Sequence, residues 1–343
     1  SYCNVEYAVA ANSATSCLHI ACLALGLSEG DHLWTSPNSF VASSNCALYC
    51  GANVDFVDID RKTYNMCPDK LEQKLKKSKE KGTLPKIVIP VHFAGQAPDL
   101  QSISKLAQEY NFKIIEDASH AIGGEYLNKK IGNCEFSDIS VFSFHPVKII
   151  TTGEGGIATT KNKELANKLS LLRTHGITKD IKIKDDLNSW LYEQQDLGFN
   201  YRLSDIHAAL GVSQLERLDS FVKRRHEILL TYEENLKVQN VTLPFQSEDS
   251  YSSLHLFPIE LRLENLSKSK EEIFHQLRNE GLGVNVHYIP IHMQPFYKNL
   301  GFKKGDFPDS EDYYKRTITL PMYPSMEEKE IFKVISVLET VVY

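Results

Sequence analysis

The sequence predicts an α/β protein: a mostly parallel mixed sheet flanked by helices, followed by a smaller C-terminal α+β domain. Three observations lead there. From Tyr7 to Arg173 short apolar runs alternate with segments of helical length, as in successive βαβ units. A long helical stretch over 204–236 then changes the character of the chain. Beyond it, strand-like and helix-like runs mix at close spacing, as in a compact second unit. The division is expected inside the long helical stretch, with 1–213 as the large domain and 214–343 as the small one. A chain of 343 residues is long enough for both.

The elements follow in order. Residues 7–11 read as a strand, and a helix starts at Ser13 and runs to residue 27. A strand at 32–35 precedes a helix over 39–49. Another at 54–57 precedes 68–81, where Pro68 and Asp69 suit a helix start. Residues 86–91 form a strand ahead of a helix over 100–110, and 112–115 form the next strand. Two short strands, 139–144 and 156–160, lie close together before a helix over 162–173. The second unit is built from 254–261, 270–279 and 284–288, and a helix over 327–341 closes the chain. There are no internal repeats and no low-complexity tract.

Composition excludes several classes. Hydrophobic content of 42% and charged content of 24% suit a soluble globular protein. A net charge of −6 argues against a general binder of nucleic acid or anionic membrane, since both need clustered positive charge. Lysine and arginine gather at 74–81 and 223–225, but mixed with glutamate, which reads as solvated helix faces. No apolar run approaches the ~20 residues of a membrane span, and no signal peptide is expected. The seven cysteines are odd in number and none has C-x-x-C spacing. Cys46 and Cys50, one turn apart in an apolar run, read as small core residues, and a reducing cytoplasm is expected. The chain opens on Ser1 and its first strand arrives almost at once, so an upstream segment is expected.

In a parallel sheet, ligands collect beyond the carboxyl ends of the strands. Three segments put reactive groups there. Glu116-Asp117-Ala118-Ser119-His120 ends an apolar strand on an acid. Asp117 suits either a helix N-cap or a carboxylate that keeps a cofactor ring nitrogen protonated. His120 is either structural or a group that stacks or hydrogen-bonds beside that ring. Ser143-Phe144-His145-Pro146-Val147-Lys148 follows a strand rich in aromatic residues. Lys148 is either an ordinary loop lysine or a desolvated amine fit for a Schiff base. Asn12-Ser13-Ala14-Thr15-Ser16 joins a strand to a helix, so its free N–H groups and hydroxyls either cap the helix or bind an anion. Gly153, Gly155 and Gly156 look like a phosphate loop, but a strand follows them where a dinucleotide fingerprint opens a helix. Pro290 separates His287 from His292 and breaks the helical face a zinc pair would use, so no metal is expected. No G-x-S-x-G elbow supports a serine hydrolase.

Together these segments resemble the DegT/DnrJ/StrS family of sugar-nucleotide aminotransferases, fold-type I enzymes that use pyridoxal 5′-phosphate. The likeness covers nearly the whole chain. It also takes in the segments 36–42, 91–95, 173–176, 197–205, 287–292 and 320–324. The Asp-Ala-Ser-His-Ala and Ser-Phe-His-Pro-Val-Lys strings look most like members that act in pseudaminic acid synthesis.

The resemblance implies that Lys148 bonds to the cofactor and shuttles a proton, while Asp117 pairs with the pyridinium nitrogen. It implies that Phe40 stacks on the ring, beside His120, and that Thr15, the Ala14 backbone and Ser143 hold the phosphate. Asn200 would reach the phosphate of a neighbouring subunit, which makes a homodimer with shared sites. Ser13, His287, Tyr288 and His292 lie where the family meets its nucleotide sugar. L-Glutamate is the implied amino donor, and the acceptor the 4-keto carbon of a UDP-linked 6-deoxy-N-acetyl hexose. The family carries a segment ahead of the first strand that helps to bind substrate. Aminotransfer at another sugar carbon, or a non-catalytic pyridoxal-binding protein on the same scaffold, are the competing readings. Dehydrating relatives lack the lysine that Lys148 provides.

Overall fold

The computed structural model describes residues 1–178 and 190–342; residues 179–189 of the expected large domain and Tyr343 of the small one lie outside them. Strands β1 (Tyr7–Ala11), β2 (His32–Thr35), β3 (Asn53–Phe56), β4 (Ile87–Ile89) and β5 (Lys113–Asp117) alternate with four helices. These are α1 (Ala14–Ala24), α2 (Ala42–Tyr49), α3 (Pro68–Lys81) and α4 (Leu100–Tyr110). A small hairpin, β6 (Glu125–Tyr126) and β7 (Lys129–Lys130), precedes β8 (Ile139–Ser143), β9 (Gly156–Thr160) and α5 (Lys163–Arg173).

Seven of these strands form one sheet in the order β1-β9-β8-β5-β4-β2-β3. Only β9 runs against the others, pairing antiparallel with β8 on one side and β1 on the other. The register decides where chemistry can gather. Gly156 lies opposite both Ala11 and Ser143, and Asp117 lies opposite Val141. The carboxyl ends of β1, β5 and β8 therefore finish on one edge, as expected for a ligand site in such a sheet.

Helix α1 is packed on almost every side: nine of its eleven residues are buried, so its N-terminus is fixed against the sheet. Leu18 and Ile20 sit fully buried in this core, where truncation to alanine would cost about 2–5 kcal/mol. Ser13 caps the helix in extended geometry, its Oγ accepting from the Ser16 amide at 3.0 Å.

A short pair, β10 (Ile177–Thr178) and β11 (Glu193–Gln194), precedes α6 (Asp205–Leu215) and α7 (Leu218–Asn235). The small domain contains β12 (Val241–Thr242), β13 (Ser250–Tyr251), β14 (Phe257–Leu261), α8 (Lys270–Asn279), α9 (Pro295–Asn299), α10 (Pro308–Arg316), β15 (Thr317–Leu320) and α11 (Glu328–Val342). Its own sheet is antiparallel in the order β12-β14-β15, while β13 crosses back to pair with β6. Helix α7 joins the two cores. Leu218 and Val222 pack with Ala121, Ile131 and Phe142 of the large domain, and Ile228, Leu229 and Tyr232 pack with Phe257, Ile259 and Leu338 of the small one.

Several sequence expectations change. The helical stretch over 204–236 is two helices broken at Glu216–Arg217; within the single chain α6 buries no residue while α7 buries one whole face. Arg225 belongs to that buried face and is 4% exposed, so the basic run at 223–225 is not uniformly solvated. Its place follows from helical spacing: Val222 lies three residues before it and Leu229 four after. The helix expected over 39–49 begins only at Ala42, leaving Phe40 in the preceding loop. Residues 284–288 contribute one isolated bridge, Asn285 with Thr319, rather than a strand. Cys46 is buried as expected, but Cys50, at the end of α2, is only half-buried.

Candidate active site

A cavity of about 590 Å³ opens at the carboxyl edge of the large sheet and is closed on its far side by the small domain. Lys148, Asp117, Ser13, Ala14, Thr15, Phe40, His120, Ser143, His287 and Tyr288 all line it. Asn200 and His292 do not.

Asp117 is the last residue of β5 and is buried. Its Oδ2 accepts from the Ser43 hydroxyl at 2.5 Å, and its Oδ1 from the Ser119 amide at 3.2 Å. Its backbone is clamped by the chain leaving β4: the Asp117 amide donates to the Pro90 carbonyl at 3.0 Å, and the His92 amide donates to the Asp117 carbonyl at 3.0 Å. Side chains alternate along a strand, so Glu116 faces away from Asp117. Glu116 pairs there with the buried His92 ring at 2.8 Å and accepts from the Ser137 hydroxyl at 2.5 Å. The residue whose amide clamps Asp117 is thus tied a second time, by its side chain, to the same strand.

Lys148 stands in the turn after β8, its amide donating to the His145 carbonyl at 2.9 Å. Its amine has no hydrogen-bond or ion-pair partner among the described residues. Burial pushes that amine down to about 8, against the opposing pull of the Asp117 carboxylate. A lysine in this range supplies free amine near neutral pH.

The start of α1 faces the same cavity. Ala14 and Thr15 lie in its first turn, where amide N–H groups have no intrahelical acceptor. Gly156 packs against this turn so closely that a Cβ there would come within 2.4 Å of the Ala14 nitrogen. The sequence reading was right that the glycines do not open a helix; Gly156 instead lets another helix start reach the sheet edge. Ser143 contributes a hydroxyl beside it.

The opposite wall carries His120 and Tyr288, whose ring nitrogen Nε2 and hydroxyl lie 3.1 Å apart. Burial, then the Lys148 charge, holds His120 well below the usual histidine range, so the ring is neutral. His287 is anchored to Thr319 Oγ1 at 2.9 Å and is likewise lowered, to about 4, by burial and then by Lys148. Burial and the Asp117 charge push the Tyr288 hydroxyl up. Phe40 is 59% exposed at the cavity rim, a large flat ring with room on one face.

The placement of His292 corrects the sequence reading. Its ring is fully buried, bonded to Glu311 at 2.9 Å and packed on Phe307 at 4.8 Å, so nothing in the cavity can touch it. Asn200 is exposed outside its own chain's cavity and bridges to Thr174. Three further groups were missed: Ser43, His255 and Arg225, the last two lining the cavity. Only Arg225 carried a legible signal, its helical spacing from apolar neighbours.

The lining suits a pyridoxal phosphate group. Free amides and hydroxyls at α1 match a phosphate, and a buried carboxylate with two accepted bonds has capacity for a ring N–H. An unpartnered amine completes the set.

Comparison with known proteins agrees with this geometry. Residues 1–339 match the DegT/DnrJ/EryC1/StrS aminotransferase family. The UDP-4-amino-4,6-dideoxy-N-acetyl-beta-L-altrosamine transaminase of Campylobacter jejuni subsp. jejuni serotype O:23/36 is 40% identical over 331 residues, covering 96% of this chain and 84% of that protein. The spore coat polysaccharide biosynthesis protein SpsC of Bacillus subtilis is 37% identical, covering 100% of this chain and 87% of its own. Among solved structures, Helicobacter pylori PseC, an aminotransferase of pseudaminic acid biosynthesis, superposes with a TM-score of 0.89 at 31% identity, covering 99% of this chain and 88% of that one. The PLP form of the putative sugar aminotransferase Spr1654 from Streptococcus pneumoniae superposes with a TM-score of 0.88 at 29% identity, covering 99% and 88%.

Proposed function

This chain belongs to the DegT/DnrJ/EryC1/StrS aminotransferase family, and on that premise we propose that it moves the amino group of L-glutamate to the 4-keto carbon of a UDP-linked 6-deoxy-N-acetyl hexose, toward a surface-glycan sugar such as pseudaminic acid. It is a sugar aminotransferase that uses pyridoxal 5′-phosphate. The observation that carries the reading is the shared cavity. It brings an amine from the turn after β8, an acid from the end of β5 and the amide-rich start of α1 to one place.

When bound, the cofactor supplies an electron sink for negative charge at the substrate carbon. Around it, each residue has a task that its surroundings prepare. Ala14, Thr15 and Ser143 would hold the phosphate. Asp117, oriented by Ser43 and the Ser119 amide, would hold the ring nitrogen, a charge-assisted bond worth about 1.5–3 kcal/mol. Lys148 Nζ, which burial makes less basic than an ordinary lysine, would take and return the proton of the carbon that gains or loses the amino group. A positioned base of this kind typically contributes about 10²–10⁴-fold. Neutral His120 and the Tyr288 hydroxyl line the wall without adding charge beside Asp117. Ser13, His287 and Tyr288 are proposed to meet the nucleotide sugar.

A homodimer is part of the proposal. In the single chain α6 buries nothing, although Ile206, Leu210, Val212 and Leu215 are apolar and exposed, with Ile206 at 83%. A second copy is the natural cover for such a surface, and Asn200, close by in the chain, would complete the partner's phosphate site. The large and small domains are proposed to meet along the α6–α7 stretch, since α7 packs with both cores. Seven unpaired cysteines support a cytoplasmic enzyme. No helix among the described residues is long and apolar enough to cross a membrane.

Mass spectrometry with ¹⁵N-labelled L-glutamate and a panel of keto-sugar nucleotides tests the reading. Label at C4 of the UDP-linked 6-deoxy-N-acetyl hexose is expected. Label at another carbon would move the proposal to another acceptor, and label on no sugar would overturn it.

A further inference from the structure

Arg225 projects from the buried face of α7 to the cavity wall. Its Nη1 donates to the carbonyls of Met322 at 2.8 Å, Leu254 at 3.0 Å and His255 at 3.4 Å. Its Nε is sealed without a partner, and Nη2 makes no hydrogen bond among the described residues. Among the described residues no carboxylate pairs with it. Burial lowers the guanidinium to about 10, which leaves it charged at neutral pH. Peptide carbonyls orient such a group but do not neutralise it, and a buried charge without a counter-ion is a costly arrangement. His255 stands beside it, buried, its ring 4.5 Å from that of His120 and its Nδ1 unpartnered.

The identity of the missing anion follows from what must enter. The cofactor phosphate has its own cradle at α1, and Lys148 is committed to the cofactor. The sugar brings hydroxyls to the reacting centre, with its phosphates farther along the molecule. The amino donor alone brings a carboxylate on the very carbon that carries the amine. From these constraints we infer that Arg225, with His255 beside it, is the carboxylate-recognition site for the amino donor. The inference rests on the aminotransferase reading above.

The test uses the cofactor-loaded enzyme and its Arg225→Gln and Arg225→Lys variants. Conversion of the bound cofactor by L-glutamate is followed by absorbance, and binding of glutarate, a dicarboxylate without an amine, by calorimetry. Loss of a charge-assisted bond predicts a half-saturating glutamate concentration about 10–100-fold higher in Arg225→Gln, with the limiting rate changed far less. Arg225→Lys should recover part of the loss. A folded, cofactor-bound Arg225→Gln protein with wild-type half-saturation overturns the inference. Should both variants misfold, the wild-type enzyme decides: glutarate must compete with glutamate and its neutral diamide must not, and equal competition by the two refutes the site. Wild-type enzyme unresponsive to glutamate would instead reject the aminotransferase reading itself.

Discussion

Replacing Asp117 by asparagine should make the Lys148 amine still less basic. Burial lowers this amine from the ordinary 10.5 to about 8, and the Asp117 carboxylate is the opposing influence that keeps it from falling further. The difference between those two values corresponds to about 3 kcal/mol against the charged form. At pH 7 it raises the free-amine fraction roughly 300-fold over an unperturbed lysine. Competitive acetylation of cofactor-free protein, with N-acetyl-lysine as internal standard and mass spectrometry of the peptide bearing residue 148, reads the titration directly. The wild-type midpoint is expected near 8, and the Asp117→Asn midpoint below it. The same shift has a consequence for stability. Because the folded protein binds this proton more weakly than the unfolded chain, the penalty on folding is fully present below about pH 8 and fades as pH rises toward 10.5. Lys148→Met should therefore stabilise the cofactor-free protein at pH 7, with the gain vanishing above that window. A wild-type midpoint near 10.5 would mean a solvated amine, and an Asp117→Asn midpoint that does not fall would mean an amine the acid does not support; either would refute the reasoning.

Three further outcomes follow from the geometry. Gly156→Ala puts a methyl group 2.4 Å from the Ala14 nitrogen, so α1 must retreat; cofactor affinity should fall by at least about 10-fold, measured by equilibrium dialysis, with the sheet intact by circular dichroism. Glu116→Gln alters the buried hydrogen bond to His92 and loosens the register that aims Asp117. The turnover number should drop about 10-fold or more while the half-saturating glutamate level changes little, and an unchanged turnover number would leave Glu116 with a packing role alone. Lys148→Ala and Asn200→Ala proteins, each poorly active, should regain activity when mixed and allowed to exchange subunits, because one site of the hybrid would then be whole; absence of any recovery argues against Asn200 acting across the interface.

The strand-end residues were legible because a parallel sheet exposes little chemistry except at its carboxyl edge. An acid closing an apolar run and a lysine after an aromatic strand could hardly lie elsewhere, and the register of β5, β8 and β9 brings them together. His292 misled for the opposite reason. A histidine two residues from Pro290 has no periodic pattern, and only the packing of Phe307 and Glu311 shows that it is sealed away. The break between α6 and α7 was hidden because Glu216 and Arg217 are acceptable helix residues, so no local signal marks the boundary between them. Ser43 and His255 reach the site through tertiary packing that no local sequence signal carries. The hairpin β6–β7 is held by pairing with β13, more than a hundred residues away in the chain.

The most direct test traps the cofactor where it bonds. Borohydride reduction of the loaded enzyme, followed by proteolysis and mass spectrometry, should place the pyridoxyl mass on the peptide containing Lys148 and nowhere else. Attachment at any other lysine, or none at all, would contradict the account at its centre.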